Sequence, residues 1–275
     1  MLAKLNIFSE TLKFPTDLYV MVPTPVSDDY INGRETNYLK PDVKFQVLYL
    51  LHGAYGNHSD WLRYTNIERY AREHKLVVVM PDASNSFYQN MYYGSAYLSY
   101  LTDELPRVMQ QMFPVSLKRE NTFVAGLSMG GYGAVRSAFE RPDLFGYCAS
   151  LSGALDIVSL INETAGDRYG NGITDVFKWN NIFEHPDQVA GSDADLLFLI
   201  KKRMQEGKML PAVCQMIGRE DFLYRQNRAM KEKMEAMGVE LHYREYEGTH
   251  DWEFWDHHIQ DVLRWLPLTN NPVME

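Results

Sequence analysis

Five short apolar runs, Phe45–Leu51, Leu76–Met80, Thr122–Leu127, Tyr147–Leu151 and Ala212–Ile217, are spaced along the chain with polar, helix-patterned segments between them. Each is nearly continuous and bounded by Gly, Pro or Asp, the pattern of a strand buried on both faces of a parallel sheet. The intervening segments repeat at the helical period. Trp61–Glu73 and Ala96–Met112 fit it, and Gly131, Val135 and Ala138 line one face of the segment after Ser128. Leu223, Met230, Met234 and Met237 share a face, as do Trp252, Trp255, Ile259, Val262 and Leu266. Strand and helix in alternation predict a three-layer α/β/α domain with a mostly parallel sheet and right-handed crossovers. Before it, Ala3–Ser9 and Asp17–Pro23 read as two strands of a hairpin or meander around Lys13–Pro15. The interval Ala154–Leu210 is too long for an ordinary connection and carries Gly-Asp-Arg-Tyr-Gly-Asn-Gly at 166–172 and a helix-like Ala194–Gln205. It is expected to be a cap of about 154–210 inserted over one edge of the sheet, within a single domain spanning 1–275.

The 275 residues are 45% hydrophobic, enough for one substantial core, and 27 Lys+Arg against 36 Asp+Glu leave a net charge of −9. That balance argues against nucleic acid or an anionic membrane as partner. Lys4, Asn6 and Glu10 interrupt the first residues, and no apolar stretch reaches bilayer length, so a soluble, cytoplasmic protein is expected. Cys148 and Cys214, the two cysteines, sit in apolar runs and read as packing residues.

Gly126-Leu127-Ser128-Met129-Gly130 lies between a strand pattern and a helix pattern. A serine on so sharp a turn projects its hydroxyl above the sheet, and flanking glycines remove side chains that would collide. The hydroxyl needs a base, and the base needs an acceptor that fixes its tautomer. On an elbow-bearing sheet the acid and then the histidine follow the serine, each after a later strand. Gly218-Arg219-Glu220-Asp221 follows one strand and offers two carboxylates; Glu247-Gly248-Thr249-His250-Asp251-Trp252 follows the next and offers His250. Asp251 is better read as a helix N-terminal carboxylate, which leaves Glu220 and Asp221 as rivals. His74, His185 and His242 lack comparable placement. Asp256-His257-His258 has no spacing suited to a metal, so neither metal nor cofactor is expected. For the oxyanion, Met129 should give one N–H and the loop His52-Gly53-Ala54-Tyr55-Gly56-Asn57 the other. His52 has two readings, a group in the site or a buried histidine that holds this loop.

These residues resemble the esterase D-like branch of the α/β-hydrolases, most closely the small intracellular tributyrin esterases. The resemblance runs from about Phe45 to Trp265. It rests on Leu-Leu-His-Gly at 50–53 with Gly56-Asn57 and Trp61 behind it, Met-Pro-Asp at 80–82 with Ser86-Phe87-Tyr88, Gly-Leu-Ser-Met-Gly-Gly-Tyr-Gly-Ala at 126–134, Glu-Asp-Phe-Leu-Tyr at 220–224 and Gly-Thr-His-Asp-Trp at 248–252. It implies an α/β-hydrolase fold, and Ser128, Asp221 and His250 as a triad, which selects Asp221 over Glu220. His-Gly-Ala-Tyr departs from the His-Gly-Gly-Gly run of lipases, so Gly53 and Ala54 are both candidates for the second oxyanion donor, Ala54 the preferred one. His52, Trp61, Tyr88 and Trp252 are expected to contact substrate. The implied activity is hydrolysis of short-chain acyl esters. Rival readings are a thioester hydrolase acting on S-formylglutathione, an esterase for acetyl or feruloyl groups on carbohydrate, and, last, a non-catalytic hydrolase fold. The expected partner is a small ester molecule, and a homo-oligomer is compatible with the sequence.

Overall fold

The computed structural model describes residues 1–33, 43–164 and 177–274. Eight strands form one sheet: β1 (Leu2–Ser9), β2 (Phe14–Met21), β3 (Val47–Leu51), β4 (Val77–Pro81), β5 (Thr122–Leu127), β6 (Tyr147–Leu151), β7 (Ala212–Gly218) and β8 (Leu241–Tyr246). Their order is β1-β2-β4-β3-β5-β6-β7-β8, with β1/β2 and β2/β4 antiparallel and every other pair parallel. A two-stranded ribbon, Val43–Lys44 with Val273–Met274, stands apart. This is an α/β-hydrolase sheet.

The five apolar runs are strands because both of their faces are covered. Val47, Tyr49 and Leu51 of β3, Val77 and Val79 of β4, Val124, Cys148, Val213 and Ile217 enter one core with helices Leu105–Met112, Met129–Glu140, Leu196–Gln205 and Tyr224–Ala236. Leu48, Leu50, Val78, Met80, Phe123, Ala125, Leu127, Ala149, Cys214 and Met216 enter the other, beneath Ile67–Glu73 and Trp252–Trp265. Alternate residues of each strand therefore go to opposite layers, as a two-residue period requires. The two cysteines are buried, free and on opposite faces. Burial pushes the Cys214 thiol up to about 12 and the Cys148 thiol higher still.

Several boundaries differ from the sequence reading. The hairpin turns at 10–13, so Pro15 lies inside β2, opposite Phe8 and beyond the stretch that pairs with β4, where a missing N–H costs little. Trp61–Glu73 is two helices, Asp60–Tyr64 and Ile67–Glu73. Thr65 is extended between them, and its hydroxyl bonds Trp61 O and Ile67 N. The segment 97–112 stays helical but widens into a π turn at Tyr100–Glu104. Within that turn Glu104 reaches the hairpin and accepts from Ser9 Oγ and the N–H groups of Glu10 and Thr11.

Within the long interval the described elements are Ile157–Thr164, Trp179–Ile182, a 3-10 turn Pro186–Gln188 and Leu196–Gln205, the last capped by Asp195. The glycine-rich 166–172 lies outside the described residues. Ile157, Phe177, Trp179, Ile182 and Leu199 join the same core as the sheet.

Chain direction places the site. From β3 the chain steps to β4 on one side, then returns across to β5 on the other. The loops leaving β3 and β5 therefore part, and a crevice opens at their C-terminal ends.

Candidate active site

Ser128 follows β5 directly and stands at the N-cap position of the helix Met129–Glu140, with φ 52° and ψ −118°. A left-handed serine is strained by about 1–3 kcal/mol and persists only where its surroundings hold it. Here Ser128 N donates to Leu151 O at 3.0 Å, while Ser128 O accepts from Ala154 N and Tyr132 N. The glycines are required by close backbone approach: a Cβ at Gly126 would lie 2.4 Å from Gly130 O, and one at Gly130 would lie 2.5 Å from both Leu51 O and His52 O.

The hydroxyl of Ser128 lies 3.0 Å from His250 Nε2, and His250 Nδ1 lies 2.8 Å from Asp221 Oδ2. With a carboxylate at Nδ1, that nitrogen carries the proton and Nε2 is free to accept from the serine. Asp221 is 4% exposed and its Oδ1 accepts from Leu223 N at 2.8 Å. Glu220, the rival carboxylate, instead accepts from Gly248 N at 2.6 Å and lies in an exposed loop. Asp251 caps the final helix by accepting from Phe254 N.

Two aromatic rings lie against the imidazole of His250. Trp255 meets it edge-on at 5.0 Å and donates its Nε1–H to Ser152 Oγ at 3.1 Å; Phe222, 69% exposed, lies over it at 4.5 Å. Ser152 has φ 50° and anchors its N–H on Met216 O. Sequence pattern does not mark Trp255, Phe222 or Ser152 as site residues. Trp255 falls on the core stripe of the last helix, which in the sequence signals packing, and Phe222 carries no signal beyond its place beside Asp221.

Gly53 approaches the serine closely, since a Cβ there would lie 3.6 Å from Ser128 Cβ. Among the described residues the N–H groups of Gly53, Ala54 and Met129 meet no acceptor. His52 is 1% exposed; its Nδ1 lies 2.7 Å from Gly53 O and its Nε2 accepts from Ala83 N at 3.0 Å. Both nitrogens are thus used by a neutral ring, and burial holds its pKa below the usual histidine value.

Three of the residues expected to contact substrate are buried. His52 ties the loop through Gly53 O and Ala83 N. Trp61 is buried and donates to Leu51 O at 2.9 Å; Tyr88 is buried and its hydroxyl donates to His52 O at 2.9 Å. All three brace the strand end and loop from within. Trp252 is half-buried against Trp61, Tyr64 and Trp255, so it adjoins the site through Trp255. His258 bonds Asp261 and stacks on Tyr246.

Residues 35–266 match the Esterase family. An acetyl esterase of Caldicellulosiruptor saccharolyticus is 32% identical over 279 residues, covering 96% of this chain and 97% of the relative. Among solved structures, the fluorophosphonate-binding serine hydrolase F of Staphylococcus aureus superposes with a TM-score of 0.83 at 31% identity, over 97% of this chain and 98% of that one. An S-formylglutathione hydrolase of the same organism gives 0.79 at 32% identity, over 97% and 99%. With a serine elbow on an α/β-hydrolase sheet and kinship along nearly its whole length, the chain belongs to the Esterase family and is a carboxylic ester hydrolase.

Proposed function

We propose that the protein hydrolyses short-chain acyl esters through an acyl-enzyme on Ser128. The reading is carried by the hydrogen-bonded chain from Ser128 Oγ through His250 to the buried Asp221. As the hydroxyl attacks the ester carbonyl, His250 Nε2 takes its proton and Asp221 steadies the resulting imidazolium. The N–H groups of Met129 and Ala54 receive the oxyanion, His250 then protonates the leaving alcohol, and water activated by the same imidazole releases the acid.

The acyl-length reading is supported by where the cap interval spends its apolar residues. Phe177 and Trp179 pack against Phe87 and Ile182 is buried, so these apolar residues of the described interval are committed to the core and not to a surface that would sheathe a long chain. A second reading, thioester hydrolysis of S-formylglutathione, is favoured by the 32% identity to an S-formylglutathione hydrolase. Charge weighs against it. The loops that bear Asp221 and His250 add Glu220, Glu247 and Asp251 against Arg219, whose guanidinium faces Glu245. Glutathione brings two carboxylates to that rim.

The test is kcat/KM for p-nitrophenyl esters from acetate to palmitate, with S-formylglutathione in parallel. The expected maximum lies at acyl chains of about two to six carbons, since each buried methylene adds up to about 0.8 kcal/mol only while the pocket lasts. A maximum at long chains would refute the short-chain reading. S-formylglutathione turned over faster than every oxygen ester would establish the second one.

A further inference from the structure

The loop that offers Gly53 and Ala54 N–H to the site is held by two successive clamps. In a trans peptide the C=O and the following N–H point to opposite sides, so fixing one aims the other. The His52 ring holds Gly53 O at 2.7 Å and thereby aims Ala54 N–H. The preceding peptide is held in turn, because Tyr88 Oη–H donates to His52 O at 2.9 Å. The phenol thus fixes the residue whose imidazole fixes the donor.

The surroundings of Tyr88 are built for this contact. Phe87 and Tyr88 both have positive φ, 52° and 53°, two strained residues in succession. Tyr88 N is tied to the buried Ser86 Oγ at 3.0 Å, and Phe87 is wedged among Tyr132, Phe177 and Trp179. On the other side, Gly133 of the helix that follows Ser128 makes room for the ring: a Cβ there would lie 2.4 Å from Tyr88 Cδ2. Tyr88 is 1% exposed, so its hydroxyl faces protein and not solvent.

We propose that Tyr88 is a positioning residue of the ester hydrolysis: its hydroxyl, through His52, holds the oxyanion-binding N–H groups in place before substrate arrives. This rests on the Ser128 reading above. It assigns the role to a group that touches neither substrate nor Ser128, and it makes a contact in the oxyanion loop matter only as charge develops on the carbonyl oxygen. The phenol stays a donor across the working range, since burial holds its pKa well above the usual value for tyrosine.

The experiment compares wild type with Tyr88→Phe, which keeps the ring and removes the donor. Turnover of p-nitrophenyl butyrate, and affinity for an aryl trifluoromethyl ketone and its non-electrophilic methyl ketone, are measured on both. The trifluoromethyl ketone forms an ionised hemiketal that needs the N–H groups; the methyl ketone binds as a ground-state carbonyl. Losing an oxyanion donor outright costs about 10²–10³ in kcat, so a loosened one should cost about tenfold. The expected result is a roughly tenfold fall in kcat with KM little changed, and a parallel loss of trifluoromethyl ketone affinity with methyl ketone binding retained. Unchanged kcat, or equal loss of both ketones, would overturn the proposal. Should Tyr88→Phe fail to fold, Gly133→Ala displaces the ring while keeping the hydroxyl and should show the same split between the ketones. Fluorophosphonate labelling of wild type separates the two levels: no label on Ser128 sinks the Ser128 reading itself, whereas a labelled enzyme with equal ketone losses sinks only the role of Tyr88.

Discussion

Asp221 spends both carboxylate oxygens inside the protein, on His250 Nδ1 and Leu223 N, while its neighbour Glu220 reaches out to Gly248 N. Asp221→Asn should therefore leave the loop in place yet present an amide that favours the wrong imidazole tautomer, lowering kcat by about 10⁴. Glu220→Gln keeps an acceptor for Gly248 N–H, and its loss should stay below about tenfold. Matched kinetics of the two variants check this, and equal losses would mean that the acid is misplaced. The sequence narrows the acid to adjacent positions and no further, because the two differ in burial and direction, which depend on how the loop folds. Tyr88 makes the same point in reverse. From sequence its ring suggests substrate contact; only the paired positive φ values at Phe87 and Tyr88 turn the hydroxyl inward to His52.

At the scale of elements, the elbow is where local sequence and tertiary structure agree most closely, and the glycines show why. Gly130→Ala would drive a Cβ into two backbone oxygens, Leu51 O and His52 O, neither of which can swing aside. Chemical denaturation should show a loss of about 3 kcal/mol or more, together with lost activity, since the oxyanion loop must shift. Gly191 is the comparison: φ +75° and nothing within 4 Å. Gly191→Ala should cost only the left-handed penalty, about 1–2 kcal/mol, with activity kept. Similar losses in the two variants would contradict the close-approach account. The parallel strands were legible because both faces of each are buried and the apolar runs are continuous. Helix breaks were not, since apolar periodicity runs on through Thr65, where a hydroxyl bonded to Trp61 O and Ile67 N ends one helix and starts the next.

For the whole molecule, buried histidines tie stability to acidity. Burial lowers the pKa of His52 and of His258 below the usual value near 6.5, so between that value and their folded values the unfolded chain binds more protons. Stability from this source is complete above about pH 6.5 and is lost as pH falls through the window beneath it, by up to about 1.4 kcal/mol per pH unit for each fully linked group. Unfolding midpoints measured across that window should drop on acidification; midpoints that hold or rise would show that these rings are not buried neutral. The central claim is that Ser128 is acylated. Mass spectrometry of enzyme quenched during turnover of p-nitrophenyl butyrate should find one butyryl group on the peptide that contains Ser128, and Ser128→Ala should lose both the adduct and about 10⁴–10⁶ of turnover. A butyryl group on another residue, or full turnover by Ser128→Ala, would contradict the account.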